Sequence, residues 1–372
     1  MVVIFLFGLI LSSCGTSSIP QQSPLDTSEN HYARGLIAIE NGDLIDAHRS
    51  FEHARLLDSD YPGAFVGFAL IKLKQSNFHE ARQQLEMALR RDRNFVGAHI
   101  AFGRIVSIEG IELNRSVDNW LPESLRAFHK AEQLDPQNSE VNWYRANAYL
   151  LADDLVSARN TLTQILDLNR GDWVERAMMQ VERIQMIERA APGSDMGKQI
   201  GLKDAITRGE VAVLLVEELK IGELIQQRGS TDVDSSVDSR DIPRPPDLEN
   251  AWARMWVEEV LALGIHGLRP FPDGTFHPNE PITRAHYAVV NQGVLVLLSG
   301  DRGLTTRYIG EASRFPDLRA DHYTYNAAAL STERGIMQVD RRTGAFRPDE
   351  GVSGAEALVI IRELQNAFRM EY

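Results

Sequence analysis

The chain has 372 residues, of which 43% are hydrophobic and 24% are charged, and its formal net charge is −13. These values indicate a globular protein with two or three domains and argue against a disordered chain. The negative charge, without a basic run, argues against electrostatic binding to nucleic acid or to an anionic membrane surface. The single cysteine, Cys14, excludes an intramolecular disulfide and a cysteine-rich metal site.

The chain begins with MVVIFLFGLILSSC, whose first eleven residues carry no charge. This run is too short to span a bilayer as a helix, and it fits the apolar part of a signal peptide. The stretch LSSC at 11–14 resembles a bacterial lipobox, in which the cysteine is lipidated. The resemblance implies a leader at 1–14, a flexible tether at 15–27 and a lipid anchor as the sole membrane attachment. Gly15 in place of Asp implies the outer membrane, facing the periplasm. An apolar strand that ends in a chance cysteine is the alternative. No Lys or Arg precedes the apolar run, a departure from the pattern that favours an earlier true start of the protein.

A pattern with a period of 34 residues runs through 28–190. It consists of a small, a large and a small residue on one helix face, preceded by a small residue on an earlier helix. The triplets are Ala47/Phe51/Ala54, Ala81/Leu85/Ala88 and Ser124/Phe128/Ala131, with a further copy from Ala158, and the earlier small residues are Gly35, Ala69, Gly103 and Ala146. Small residues at these positions let two antiparallel helices approach closely. About nine extra residues near Ser107–Pro122 predict a longer third hairpin.

This pattern resembles the tetratricopeptide repeat. The resemblance implies four helical hairpins, closed by a helix within 171–190 that covers the last apolar edge. It also implies a groove for a protein segment, and the apolar character of the stripe favours an apolar or amphipathic peptide. The expected groove residues are Tyr32, Val66, Ile100, Arg104, Trp143 and Asn147. The alternative is that these side chains belong to the core.

A short motif occurs three times in the second half of the chain, as AITRGE at 205–210, PITRAH at 281–286 and GVSGAE at 351–356. In each copy a Thr or Ser follows an aliphatic residue and precedes an apolar run, which predicts a capped helix start. Before the second and third copies, a Gly-Ile pair and a Phe-x-Pro stretch recur at spacings of 71 and 70 residues. Trp252 and Tyr323 also correspond. A linker is expected at 191–200, and an acidic loop at 227–247.

The recurring unit resembles the S-layer homology domain, over about 201–372, with a partial first copy. The resemblance implies three helical units around a pseudo-threefold axis that bind cell-wall polysaccharide or a peptidoglycan-linked polymer. A helix N-terminus with an adjacent arginine suits an anionic sugar substituent. Thr207, Arg208, Thr283 and Arg284 are therefore the candidate polysaccharide-binding residues. Gly354 replaces the arginine in the third copy, so at most two sites are expected. The alternative is that all three motifs are structural caps.

We therefore expect an all-α envelope lipoprotein with a tetratricopeptide-like solenoid followed by a three-unit helical module. The expected function is a non-enzymatic tether that binds wall polymer and scaffolds an unidentified protein. The alternative is an assembly factor for outer-membrane insertion or export. The sequence shows no convergent acid, base or nucleophile set. We accordingly expect no catalytic residues, no cofactor and no metal.

Overall fold

A computed structural model describes residues 23–169, 171–228 and 244–370. The lipobox with Cys14, most of the expected tether and most of the acidic loop lie outside these residues. The chain divides into two compact units, Met1–Gln180 and Val181–Tyr372. The predicted all-α class is confirmed, because the described residues form α-helices and short 3-10 helices, with only isolated β-bridges between loops.

The described residues of the first unit form four antiparallel helical hairpins. Their helices are α1 (Ser28–Glu40) with α2 (Leu44–Leu57), α3 (Pro62–Lys74) with α4 (Phe78–Arg91), α5 (Val96–Glu112) with α6 (Val117–Leu134), and α7 (Ser139–Leu151) with α8 (Leu155–Leu168). Each hairpin's first helix packs on the first helix of the next hairpin, so α1, α3, α5 and α7 form one layer. Side chains of Asp43, Asn77 and Asp154 cap the second helices by accepting an N–H bond in the first turn. The layer of first helices is called the first-helix face below.

The close approach of the hairpin helices depends on the predicted small residues. A Cβ atom on Gly35 would lie 2.3 Å from the ring of Phe51, and a Cβ atom on Gly103 would lie 2.6 Å from the ring of Phe128. Both rings are fully buried. The small-and-large pattern in the sequence is therefore a set of ring-on-glycine contacts between neighbouring helices.

The third hairpin is longer than the others, as its extra residues predict. Helices α5 and α6 have 17 and 18 residues, whereas α3 and α4 have 13 and 14. Trp120 fills the additional turn, because its buried indole lies against Gly110, where a Cβ atom would come within 2.3 Å of the ring. Relative to the second hairpin, the insertion thus adds four residues to each helix and one to the loop between them.

Helix α9 (Trp173–Ala190) follows the last hairpin, and the boundary between the two compact units falls within it. In the first unit, Trp173 lies against Trp143 and Tyr144, with ring centroids 5.5 and 6.0 Å apart. Arg176 donates to Glu40 at 2.9 Å. The start of α9 therefore contacts the first-helix face.

In the part of the second unit that the structure describes, six helices pack in three pairs. The helices after the repeated motifs are α11 (Arg208–Glu217), α14 (Arg284–Ser299) and α16 (Gly354–Met370). They pack on α13 (Arg254–Ala262), α15 (Tyr325–Glu333) and α10 (Asp195–Gly201) respectively, and the short α12 (Ile221–Arg228) follows α11. Each motif helix thus packs on a helix from a neighbouring repeat, and the last motif helix packs on the first helix of the unit.

The region expected to be a linker, 191–200, contains most of α10, which corrects that expectation. Ser194 caps this helix by accepting from the N–H of Gly197 at 2.9 Å. Gly201 packs against α16, where a Cβ atom would lie 2.7 Å from Leu358. Helix α10 therefore takes the place that α13 and α15 have in the other pairs. It was not predicted from sequence, because the segment between 191 and 205 is short.

Candidate functional site

The three motifs meet through a closed set of backbone hydrogen bonds. The N–H of Ile206 donates to the carbonyl of Val352 at 2.9 Å, and that of Ile282 donates to Ile206 at 2.9 Å. The N–H of Val352 completes the circle by donating to Ile282 at 3.2 Å. All three side chains are buried. This ring of the aliphatic residues before the caps is a pseudo-threefold arrangement, and it explains why the same short motif is present three times.

The ends of the motif helices are occupied by the protein itself, which corrects the expectation that they face a ligand. At the start of α11, the N–H of Arg208 donates to Glu280 and that of Gly209 donates to Pro278, both at 2.9 Å. At the start of α14, the N–H groups of residues 284 and 285 donate in the same way to Glu350 and Pro348. The next N–H of each helix bonds to the Thr cap. The helix dipole therefore stabilises neighbouring loops of the same unit.

The caps at these helix starts follow the predicted pattern. Thr207 accepts from the N–H of Glu210, whose carboxylate returns a bond to the N–H of Thr207 at 2.8 Å. Thr283 accepts from the N–H of His286 at 3.3 Å. Ser353 accepts from the N–H of Glu356 at 3.2 Å. These side chains are thus engaged in capping, the role that the structural alternative assigns to them.

The two motif arginines are buried, which corrects the expectation of exposed ligand-binding side chains. Arg208 is 7% exposed and Arg284 is 2% exposed. Arg208 donates to the backbone carbonyls of Phe276, Gly267 and Arg269 at 2.9 to 3.3 Å. Its guanidinium also lies 4.6 Å from the ring centroid of Phe271. This arginine therefore holds the loop of the second repeat in place.

Arg284 holds the loop of the third repeat in the same manner. It donates to the carbonyls of Phe346 at 2.7 Å and Gln338 at 2.6 Å, and it forms an ion pair with Glu356 of the third motif. The residue that corresponds to Glu356 one motif earlier is His286.

Burial lowers the pKa of Arg208, and the negative charges of Glu280 and Asp247 oppose this effect.

The third motif has no room for an arginine. A Cβ atom on Gly354 would lie 1.6 Å from the carbonyl oxygen of Ile200. The N–H of Gly354 donates to the carbonyl of Lys203 at 2.9 Å, and this bond joins the last motif to the beginning of the unit. Glycine is therefore required here by close backbone approach, because the first repeat lacks the long loop that Arg208 and Arg284 support in the others.

The loops that receive the arginines are pinned by matching carboxylates. Asp247 accepts from the N–H groups of Phe276 and His277, and Asp317 accepts from those of Phe346 and Arg347, at 2.6 to 3.1 Å. His277 and Arg347 both have positive φ, at 56° and 58°. The second and third repeats thus have the same hydrogen bonds and the same backbone conformation in this loop.

The exposed groups beside the motifs are aromatic and were not assigned a role from sequence. Tyr323 is 72% exposed, and its hydroxyl lies 2.7 Å from Nε2 of the exposed His286. The ring of His322 lies 4.7 Å from that of Tyr323. Beside the first motif, Trp252 is 46% exposed and precedes Ala253, which packs on Gly209. We call Tyr323, His286 and His322 the aromatic platform. The correspondence of Trp252 with Tyr323 was the available sequence signal.

The residues expected to line a groove in the first unit divide into two sets. Val66 and Ile100 are 0% and 2% exposed, so they belong to the core, which corrects their assignment. Val66 belongs to one buried hydrophobic cluster of the repeats and Ile100 to the next. The other expected residues are partly exposed, namely Tyr32, Arg104, Trp143 and Asn147.

Polar groups converge on the first-helix face. The Arg104 guanidinium lies 3.9 Å from the ring centroid of Tyr144, and the amide of Asn147 donates to the carbonyl of Trp143 at 3.0 Å. Burial raises the pKa of Glu140, an effect that Arg104 opposes and Glu40 reinforces. Burial likewise raises the pKa of Tyr32 above its usual range. Trp173 and Arg176 of α9 cover part of this face, so less of it is accessible than the sequence predicts.

Within residues 23–169, 171–228 and 244–370, no helix combines the length and the apolar character needed to cross a membrane.

Comparison with solved structures finds a thermophilic TPR protein from Thermus thermophilus, with 16% identity and a TM-score of 0.37, covering 52% of this chain and 92% of that one. Among curated proteins, a cellulosome-anchoring protein of Acetivibrio thermocellus is 26% identical over 198 residues, which are 51% of this chain and 38% of the relative. Cell surface glycoprotein 1 of the same organism is 32% identical over 94 residues, which are 25% of this chain and 4% of the relative. The matches thus cover well under two thirds of either relative.

The family model of the S-layer homology domain matches residues 257–288 and 314–358. These segments contain the second motif, the aromatic platform and the loop that receives Arg284. The first copy of the motif, at 205–210, lies outside the matched residues. The region around the second and third motifs therefore matches the S-layer homology domain, the family that its sequence resembles.

Proposed function

We propose that the second unit attaches the protein to a cell-wall polysaccharide, and that the aromatic platform is the contact surface. The match to the S-layer homology family and the cell-surface relatives support association with the cell envelope. The observation that carries the site is the pairing of the exposed Tyr323 with His286 directly beside the second motif. An exposed tyrosine offers an apolar ring face for a sugar and a hydroxyl for hydrogen bonding.

The motif arginines have a supporting part in this proposal. Arg284 and Thr283 fix the start of α14, from which His286 projects, and Arg208 and Thr207 fix the equivalent start beside Trp252. His286 bonds to the Tyr323 hydroxyl through Nε2 and to the Thr283 hydroxyl through Nδ1, so it orients the tyrosine, and the ring of His322 lies beside that of Tyr323. The third motif has Gly354 at the arginine position, so two contact surfaces are expected rather than three.

Sedimentation of the full chain with purified cell-wall sacculi tests this proposal. Tyr323→Ala should weaken binding by at least about tenfold, since loss of an aromatic contact residue costs about 1.4 kcal/mol or more. Trp252→Ala should weaken it further. Ile309→Ala is the matched control, because Ile309 is 68% exposed on the same unit and belongs to none of the three motifs. Full sedimentation of the Tyr323/Trp252 double variant would contradict the platform, and absence of wild-type sedimentation would contradict polymer binding.

We also propose that the first unit holds a protein segment, so that the chain is a non-enzymatic tether and scaffold. The partly exposed Tyr32, Arg104, Trp143 and Asn147 on the first-helix face support this role. The start of α9 already covers part of that face, and a partner would bind beside Trp173 or replace it. In this proposal Cys14 carries the lipid anchor, in the outer membrane and facing the periplasm. Crosslinking in cells, followed by recovery of the wild type but not of an Arg104→Ala variant with its partner, tests the scaffold role.

A further inference from the structure

Three side chains with metal-binding atoms meet at the beginning of the first hairpin. Asp26 lies just before α1, His31 is on α1, and His53 is on α2. Oδ1 of Asp26 is 2.7 Å from Nε2 of His31 and 3.4 Å from Nε2 of His53. The two imidazole rings are 4.2 Å apart between centroids. We propose that Asp26, His31 and His53 form a binding site for a divalent transition-metal ion, with Zn²⁺ as the best fit.

The local structure holds these three groups in place without a metal. Ser28 donates from its hydroxyl to the carbonyl of Ala54 at 3.0 Å, so the start of α1 is tied to α2 one residue after His53. The amide of Asn30 donates to the carbonyl of Leu25 at 2.8 Å, which fixes the segment that carries Asp26. The ligand atoms therefore lie on two helices and on a segment that is hydrogen-bonded to them. Such pre-organisation reduces the free energy needed to assemble a site.

The donor set selects the class of ion. Two imidazole nitrogens with one carboxylate oxygen suit Zn²⁺ and neighbouring transition metals, whereas Ca²⁺ and Mg²⁺ prefer oxygen ligands throughout. Bonds of about 2.0 Å in a tetrahedral site place ligand atoms about 3.3 Å apart. The 3.4 Å distance between Oδ1 of Asp26 and Nε2 of His53 is already close to this value. The 2.7 Å distance between Oδ1 of Asp26 and Nε2 of His31 must increase by roughly 0.6 Å. All three ligand atoms lie within 4.8 Å of one another.

Exposure indicates how an ion would reach the site. The side chains of His31 and Asp26 are 14% and 12% exposed, and that of His53 is 35% exposed. The cluster is therefore shielded on one side and open at His53. Three protein ligands leave a fourth position for water. Because α1 and α2 form the terminal hairpin, a bound ion would fasten the preceding segment to the end of the array. A hydrogen-bonded carboxylate between two imidazoles, with no metal affinity, is the competing explanation.

Metal titration of the full chain separates the two explanations. The protein is purified without a polyhistidine tag, stripped with a chelator and titrated with Zn²⁺ or Co²⁺ alone. We expect one Zn²⁺ per chain and a visible absorption band of four-coordinate Co²⁺. Loss of an outer-shell partner of a ligand already lowers metal affinity by about 10- to 100-fold, so the His31→Gln/His53→Gln double variant should lose more than about 100-fold.

His79→Gln is the matched control, since His79 is an exposed histidine bonded to Gln83 at 3.0 Å. It should bind Zn²⁺ as the wild type does. Asp26→Asn, which keeps both imidazoles, should also weaken binding, and Zn²⁺ should raise the melting temperature of the wild type and His79→Gln but not of the double variant. Equal Zn²⁺ affinity in the wild type and the double variant would overturn the proposal. So would an absence of stoichiometric Zn²⁺ binding by the wild type.

Discussion

Arg284 of the second motif and Glu356 of the third lie 72 residues apart in sequence, and they form an ion pair that joins two repeats. The arginine is 2% exposed, and the Glu356 side chain is 25% exposed. Because the same guanidinium also donates to Phe346 and Gln338, one side chain connects a helix start, a loop and the next motif. The pair gives the motif arginine an architectural role, which its sequence neighbourhood did not reveal.

Arg284→Gln should therefore destabilise the second unit. Removing one partner of a buried pair leaves the other charge and several carbonyls without their donors, and typical costs are about 3 kcal/mol or more. Denaturant unfolding checks this value. Arg347→Gln is the matched control, because Arg347 and Glu350 form an exposed pair at 3.1 Å that should contribute less than about 1 kcal/mol. Equal stability of Arg284→Gln and the wild type would show that the ion pair does not contribute to the free energy of unfolding.

Local features of the fold were predictable from sequence because they depend on neighbouring residues. The Thr and Ser caps, the ring-on-glycine contacts and the longer third hairpin all follow from short patterns and spacing. The hydrogen-bond partners of the Arg208 and Arg284 guanidinium groups could not be predicted from sequence. The backbone carbonyls that accept from them are 54 to 68 residues away, and Glu356 is 72 residues from Arg284. The sequence of a helix start that carries an arginine is the same whether the arginine binds a ligand or a neighbouring loop.

The same limit applies to the candidate sites. Val66 and Ile100 have the spacing expected for a groove, but helix phase alone does not reveal which side packs on the adjacent first helix. Tyr323 and His286 are 37 residues apart and meet only because α15 packs on α14. The sequence showed that Trp252 and Tyr323 occupy equivalent positions in their repeats. It did not show that each residue lies beside a motif.

Ile100→Ala should destabilise the first unit by about 2–5 kcal/mol, because it leaves a cavity at a core position. Thermal or denaturant unfolding of the full chain measures the loss. Ile37→Ala is the control, since Ile37 is 60% exposed on α1 and should change stability by less than about 1 kcal/mol. If Ile100→Ala retained wild-type stability while losing partner binding, the groove assignment would be restored.

Glu140→Gln should stabilise the first unit at neutral pH. Burial raises the pKa of Glu140 in the folded state above its ordinary value of 4.5. The folded chain then binds this proton more tightly than the unfolded chain, so stability falls as pH rises through the interval above 4.5. Glutamine removes that loss, and the difference from wild type should disappear below the unfolded pKa.

Melting temperatures at about pH 7 and about pH 4 check this sign. Glu86→Gln is the control, because the Glu86 side chain is 68% exposed and pairs only loosely with Arg90, at 3.7 Å. A Glu140→Gln variant that is less stable than wild type at neutral pH would show that the attraction to Arg104 outweighs the cost of burial.

Cys14→Ser should release the protein from membranes, because acyl chains on Cys14 are the proposed membrane attachment. No described helix is long and apolar enough to replace them. Fractionation of cells expressing the full chain should show nearly all of the variant lost from the membrane fraction, whereas Ser13→Ala should stay in that fraction. Retention of Cys14→Ser in salt-washed membranes would exclude the lipid anchor.

Gly354→Ala tests the contact that closes the circle of three motifs. The added Cβ atom would lie 1.6 Å from the carbonyl oxygen of Ile200, a backbone atom that cannot rotate away as a side chain can. Overpacking typically costs about 1–3 kcal/mol, and displacement of α10 from α16 should place this variant at or above the upper limit. Gly351→Ala is a matched control three residues earlier, since its Cβ atom would meet Ala205 at an ordinary 3.6 Å. Limited proteolysis should then cut near 191–205 in Gly354→Ala but not in Gly351→Ala or the wild type. Unchanged unfolding and protease resistance in Gly354→Ala would mean that the last motif does not close on the start of the unit.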